Sequence, residues 1–145
     1  MGTIVVGVDG SPGSREALRF AVEEARLRNA TLRAVTAWHV PAIAYSGGFA
    51  AAVEPRAYEE SAEAVGQEEL AALREETVGV EIERVVKEGQ AARVLLDEAQ
   101  GADLLVVGSR GHGGFAGLLL GSVSQQTAQH ASCPVVIVTA PSATP

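Results

Sequence analysis

Residues 102–122 read ADLLVVGSRGHGGFAGLLLGS, an apolar run that leads directly into six glycines within fifteen residues. The run Ala102–Gly108 predicts a strand buried on both faces, because its apolar residues do not alternate with polar ones. Glycine has no side chain to pack and is costly to order. A glycine-rich stretch after a core strand therefore indicates backbone that a ligand approaches closely.

Strands and helices are predicted to alternate on both sides of this stretch. Thr3–Asp9 predicts a buried strand, Ser11 an N-cap, Pro12 the first helical residue, and Asn29 the end of that helix. The other predicted elements are strand Thr31–Trp38, a helix from Arg56 to about Thr77 with Tyr58 and Leu73 inward, strand Val80–Gly89, helix Ala91–Gln100, helix Ser122–Ala131 and strand Pro134–Ala140.

This alternation predicts an α/β fold, with one domain over residues 1–140 and a disordered tail at 141–145. The domain is expected to be doubly wound, with an open parallel sheet covered by helices on both faces. The 145 residues are long enough to bury a full core, and 47% are apolar against 20% charged.

The chain carries a net charge of −7, with a single lysine and no block of basic residues. Nucleic acids and anionic membranes are therefore poor partners, and an anionic ligand must be bound by polar groups close to it. Cys133 is the only cysteine, which excludes an internal disulfide and suits a reducing cytoplasm.

The predicted fold places such groups at the carboxyl ends of the strands. Ligands of doubly wound sheets bind outside the carboxyl ends of the strands, where strand order reverses, and Asp9 and Gly108 each end a strand. The stretch after Gly108 runs into a helix near Ser122, whose free amides and dipole favour an anion. Arg110 would add a bidentate phosphate contact, and the hydroxyls of Ser122 and Ser124 would add donors.

The common nucleotide motifs do not match. A P-loop needs GxxxxGK[ST], and GLLLGSV lacks both the spacing and the lysine. GxGxxG is absent after the first strand, and no acidic residue follows the second strand to bind a ribose. The SGGxDS motif of the related PP-loop enzymes is not matched by DGSPGS.

Another spacing does match. Gly108-x2-Gly111-x9-Gly121-Ser122 resembles the G-2x-G-9x-G-[ST] signature of the ATP-binding universal stress proteins, and the resemblance extends from IVVGVDGS through LLLGSVSQQTAQHASCPVVIV. It implies a five-stranded sheet ordered 3-2-1-4-5, with its switch point between the strands that end at Asp9 and Gly108. It also implies ATP with Mg²⁺ as the ligand.

The resemblance further implies a set of binding residues. Asp9 would lie near the ribose, and the backbone of Ala37 would meet the adenine. The full set is Gly7, Val8, Asp9, Ala37, Val107, Gly108, Ser109, Arg110, Gly111, Gly121, Ser122, Val123 and Ser124. Some family members carry proline at the position of Gly7 and many carry valine at that of Ala37, but both contacts are made by backbone.

Other interpretations of these residues stay open. The glycines would also suit a flexible connector or close helix–strand packing. Asp9 would also serve as a cap for the first helix. His39, His112 and His130 lack a metal-ligand spacing, so no metal site built from protein ligands alone is expected.

The expected function is a cytoplasmic ATP-binding regulatory module of the stress response, read by an unidentified protein partner. The alternatives are a slow ATP hydrolase, a cyclic AMP binder, or a structural adaptor that binds no nucleotide. No general base or arginine finger is evident, so no catalytic residue is assigned. The strand Val135–Val138 would leave an apolar sheet edge, and family members pair it in a homodimer.

Overall fold

The computed structural model describes residues 2–41, 54–110 and 120–140. Along these residues strands and helices alternate as predicted. The strands are β1 Thr3–Gly7, β2 Thr31–Trp38, β3 Ile82–Glu88, β4 Leu104–Gly108 and β5 Val135–Val138, and the helices are α1 Pro12–Arg28, α2 Pro55–Ala72, α3 Ala91–Glu98 and α4 Ser122–His130. The tail at 141–145 lies outside the described residues.

The five strands form one parallel sheet in the order β3-β2-β1-β4-β5, which confirms the α/β class and the order 3-2-1-4-5. The central strand β1 pairs with β2 on one side and with β4 on the other. Strand order therefore reverses between β1 and β4. A crevice is expected at their carboxyl ends.

Helices cover both faces of the sheet, and each face has its own apolar core. Ile4 and Val6 of β1 pack with α1 and with Leu73 on one face, while Val5 packs with α3 on the other. All three β1 side chains are fully buried. This explains why the central strands are continuously apolar in sequence.

Local signals fix both ends of α1. The Ser11 side chain accepts a hydrogen bond of 3.2 Å from the Ser14 amide, and Asn29 ends the helix in the left-handed conformation with φ 53°. Both predictions are confirmed. The strand before the helix is shorter than predicted, since β1 ends at Gly7 and the chain turns at Gly10, where φ is 82°.

The prediction for the second helix was wrong in two respects. α2 ends at Ala72 rather than near Thr77, because a run of turns follows and the guanidinium of Arg26 donates to the carbonyls of Glu76 and Val78 there. Leu73 is buried as expected, but Tyr58 is 37% exposed and does not pack inward.

A bidentate ion pair joins α2 to α1. The Arg15 guanidinium donates to both carboxylate oxygens of Glu69 at 2.9 and 3.0 Å, and Glu69 is only 5% exposed. The hydrogen bond to Glu69, followed by its charge, raises the pKa of Arg15. This pairing compensates the desolvation of the Glu69 carboxylate.

None of the helices in the described segments is long and apolar enough to cross a membrane. The edge strand β5 is partly exposed along its whole length. Cys133, which precedes it, packs partly buried against the core under α3 and α4. Burial, together with the charge of Asp103, raises the pKa of the Cys133 thiol.

We expect Cys133 to be alkylated slowly, because desolvation disfavours the reactive thiolate. The rate of reaction with iodoacetamide, measured against pH, should have its midpoint at a higher pH in the folded protein than in the urea-unfolded chain. A midpoint at or below that of the unfolded chain would contradict this interpretation.

Candidate functional site

A cleft opens at the carboxyl ends of β1, β2 and β4, where strand order reverses. The space between and just outside its walls is about 520 Å³, which includes open solvent. Most of the predicted binding residues line it, namely Gly7, Val8, Asp9, Ala37, Val107, Gly108, Arg110 and Val123, and they are joined by Ser11, Ser14, Val35, Ala91 and Leu95. The topology thus gathers residues from distant parts of the chain at one edge of the sheet.

Asp9 lies exposed at the mouth of the cleft and organises the turn after β1. Its Oδ1 accepts a hydrogen bond of 2.8 Å from the Ser11 amide, and its own amide donates to Ser14 Oγ at 3.2 Å. Asp9 thus bonds to the amide of the N-cap residue Ser11, while Ser11 itself accepts from the Ser14 amide in the first turn of α1. These bonds hold the carboxylate beside the N-terminus of α1.

The two ends of the glycine-rich stretch are fastened together. The Gly121 amide donates to the Ser109 carbonyl at 2.6 Å. The Ser124 hydroxyl donates to the same carbonyl at 2.8 Å, and Ser124 is 1% exposed. Ser109 and Ser124 thus hold the two ends of the stretch together inside the protein. Neither they nor Gly121 and Ser122 line the described part of the cleft, and Ser122 is exposed at the first turn of α4. Gly111 lies outside the described residues.

Helix α4 begins without a side-chain cap. Its N-cap is Gly121, which has the extended backbone angles φ −80° and ψ 174° and makes no side-chain hydrogen bond to the first turn. By contrast, Ser11 caps α1. As far as the described residues show, the first amides of α4 are therefore available to an external acceptor, such as water or an anionic group.

Two glycines allow the backbones of α1 and β4 to touch. A Cβ on Gly108 would stand 2.7 Å from the carbonyl carbon of Gly13, and a Cβ on Gly13 would stand 2.7 Å from the carbonyl oxygen of Arg110. Real side chains do not fit at such distances. The glycine at position 108 is therefore required for helix–strand packing, in agreement with one of the interpretations left open by the sequence.

The wall that α3 contributes could not be predicted from sequence patterns. Ala91 and Leu95 lie one helical turn apart and both face the cleft. Neither residue type signals a site, and only the parallel topology brings α3 to this edge. Ser11 and Ser14 were also missed as lining residues, although the helix-start signal DGSPGS marks their position.

The cleft has an apolar end and a polar end. Val35, Ala37 and Leu95 line the former, while Asp9 and Arg110 bring one charge of each sign to the latter. Throughout residues 2–41, 54–110 and 120–140, no group of three or more His, Cys, Asp or Glu side chains is placed to hold a metal ion. The described part of the cleft can thus hold a ligand that is apolar at one end and anionic at the other.

Comparison with known proteins agrees with this class of fold. The profile of the Universal stress protein family matches residues 1–139. The chain belongs to that family.

Universal stress protein Rv2623 of Mycobacterium tuberculosis is 42% identical over 134 residues, which cover 92% of this chain and 44% of the relative. The chain therefore spans less than half the length of that curated relative.

Two solved structures are similar over nearly their whole length. A universal stress protein in complex with cAMP is 31% identical with a TM-score of 0.62, covering 97% of this chain and 98% of its own. A universal stress protein from Archaeoglobus fulgidus in complex with dAMP is 25% identical with a TM-score of 0.57, covering 95% and 98%.

We expect Gly13→Ala to lower the free energy of unfolding by about 1–3 kcal/mol, because the added methyl group overlaps a backbone carbonyl that cannot rotate away. Urea denaturation measures the loss. Gly66→Ala is the matched control: its Cβ would lie 3.4 Å from Thr36 Oγ1, an ordinary contact, within helix α2. This control should gain up to about 1 kcal/mol. Equal effects of the two substitutions would refute the packing argument.

Proposed function

We propose that this protein is an adenine-nucleotide-binding regulatory module whose ligand is ATP with Mg²⁺. The observation that carries the proposal is the cleft at the switch point, with its apolar end on β2 and α3 and its polar end beside the uncapped N-terminus of α4. A nucleotide also has one apolar and one charged end, because its flat base lies at one end and its phosphates at the other. The solved relatives bound to cAMP and dAMP support the adenylate class.

In this proposal the base lies against the apolar end, where the backbone of Ala37 meets the adenine. Asp9 binds the ribose through its carboxylate. Arg110 and the amides of Gly121–Val123 bind phosphates, and Gly111 completes the loop. The hydrogen bond between the Ser124 hydroxyl and the Ser109 carbonyl holds the two ends of the loop together, so both residues act as positioning residues.

Catalysis is the less favoured alternative. Asp9 is the one carboxylate that lines the described part of the cleft, and its Oδ1 is bonded to the Ser11 amide. General-base catalysis needs a group poised to take a proton from an attacking water. The arrangement favours a binding switch, in which occupancy is read by a protein partner in the cytoplasm, over a slow hydrolase.

We further propose a homodimer formed through β5. This strand is the outer edge of the sheet, next to β4, and Val135–Val138 are partly exposed in the single chain. An exposed apolar edge is an aggregation hazard, and pairing with a second copy would cover it.

Calorimetric titration of nucleotide-stripped protein tests the ligand. We expect ATP with Mg²⁺ to bind saturably and Gly121→Val to abolish binding, because the isopropyl group would crowd the first amides of α4. The backbone angles of Gly121 are accessible to any residue, so the substitution probes the site and not backbone strain. Ala128→Val, on an exposed position of the same helix, is the control and should bind ATP normally.

The same titration separates the alternatives. Binding of cAMP but not ATP would replace the proposed ligand with a cyclic nucleotide. Release of phosphate on incubation with ATP would favour the hydrolase. If no adenylate binds, the structural adaptor remains as the alternative function.

Light scattering tests the dimer. We expect twice the mass of one chain at micromolar concentration, and Val136→Lys should give monomers because a charge on the edge strand opposes pairing. Val78→Lys introduces the same charge at a position that is 70% exposed and should remain dimeric. A monomeric wild-type protein would exclude the proposed interface.

A further inference from the structure

We propose that Leu95 sets the depth of the apolar end of the cleft and thereby selects among adenine derivatives. This inference rests on the proposed nucleotide-binding function and goes beyond it, since it assigns specificity to a residue of α3. It predicts that wild-type protein rejects bases with a bulky substituent and that shortening Leu95 admits them.

Leu95 lies against the end of β1. A Cβ built on Gly7 would lie 3.0 Å from Leu95 Cδ1 and 3.4 Å from Cδ2. The leucine therefore fills the space that a side chain at position 7 would occupy. Leu95 is 4% exposed and lines the cleft, so its methyl groups form part of the floor.

Helix α3 is held in place from its other end. The Arg33 guanidinium donates to the Glu98 carbonyl at 3.0 Å, and Lys87 Nζ pairs with the Glu98 carboxylate at 2.8 Å. The hydrogen bond to Glu98, followed by its charge, raises the pKa of Lys87. With α3 anchored at its C-terminus, the length of the side chain at position 95 determines how far the floor reaches into the cleft.

The described side chains around Leu95 can distinguish one ligand from another by size and shape. Among the described residues, Val35, Ala37 and Val107 line the cleft with Leu95 and have no polar side-chain atoms. A hydrophobic pocket of this kind discriminates by size, and one methylene group changes affinity by about 10–200-fold. Removing the end of the leucine should therefore change selectivity more than overall binding.

The test compares ATP with N6-benzyl-ATP by calorimetric titration of wild type, Leu95→Ala and Val94→Ala. We expect the ratio of Kd for N6-benzyl-ATP to Kd for ATP to fall at least about tenfold in Leu95→Ala. Val94 is the matched control, because it is also 4% exposed on α3 but does not line the cleft. Its substitution should leave the ratio unchanged.

Every other outcome contradicts either the role of Leu95 or the proposed function. An unchanged ratio in Leu95→Ala, or an equal fall in Val94→Ala, refutes the role of Leu95 while leaving the nucleotide site intact. A wild-type protein that binds neither nucleotide refutes the proposed function and this inference with it. If Leu95→Ala does not fold, Leu95→Val should show a smaller fall in the same direction, and an unchanged ratio there is equally decisive.

Discussion

The backbone of α1 lies directly against the end of β4, and the geometry of the cleft depends on this contact. Gly13 and Gly108 approach so closely that a Cβ on either would overlap backbone atoms. β4 continues through Ser109 and Arg110 toward the glycine-rich stretch, so that stretch starts at a point fixed by the first turn of α1. Asp9 and Ser11, which organise that turn, thus line the cleft together with Arg110.

A second set of constraints fixes the far side of the same opening. The Ser109 carbonyl accepts hydrogen bonds from both the Gly121 amide and the Ser124 hydroxyl, so the start of α4 is fastened to the end of β4. The ion pair between Arg15 and Glu69 ties α2 to α1, and the contacts of Glu98 anchor α3. The described walls are thus rigid elements, a setting that suits precise ligand placement.

Much of this architecture could be predicted because its signals are local. Continuous apolar runs mark buried parallel strands, and Ser11 and Asn29 mark the ends of α1 by their own backbone chemistry. The same runs gave the strand ends to within two residues, which is why Asp9, two residues beyond β1, and Gly108, the last residue of β4, could be placed at one edge. Leu95 could not be found this way, because its role arises from its distance to Gly7 in space. The prediction that Tyr58 faces inward was wrong for a related reason, since helical periodicity does not reveal what packs against each face of the helix.

The acidity of the protein restricts how it can bind an anion. With a net charge of −7, long-range attraction is lacking, and the phosphates of a nucleotide must be compensated at short range. The uncapped amides of α4 and the guanidinium of Arg110 act only over a few ångströms, so recognition depends on the shape of the cleft. Binding of the proposed kind requires no reactive group among the residues that contact the ligand. The site that we propose is therefore better suited to reporting that a nucleotide is present than to transforming it.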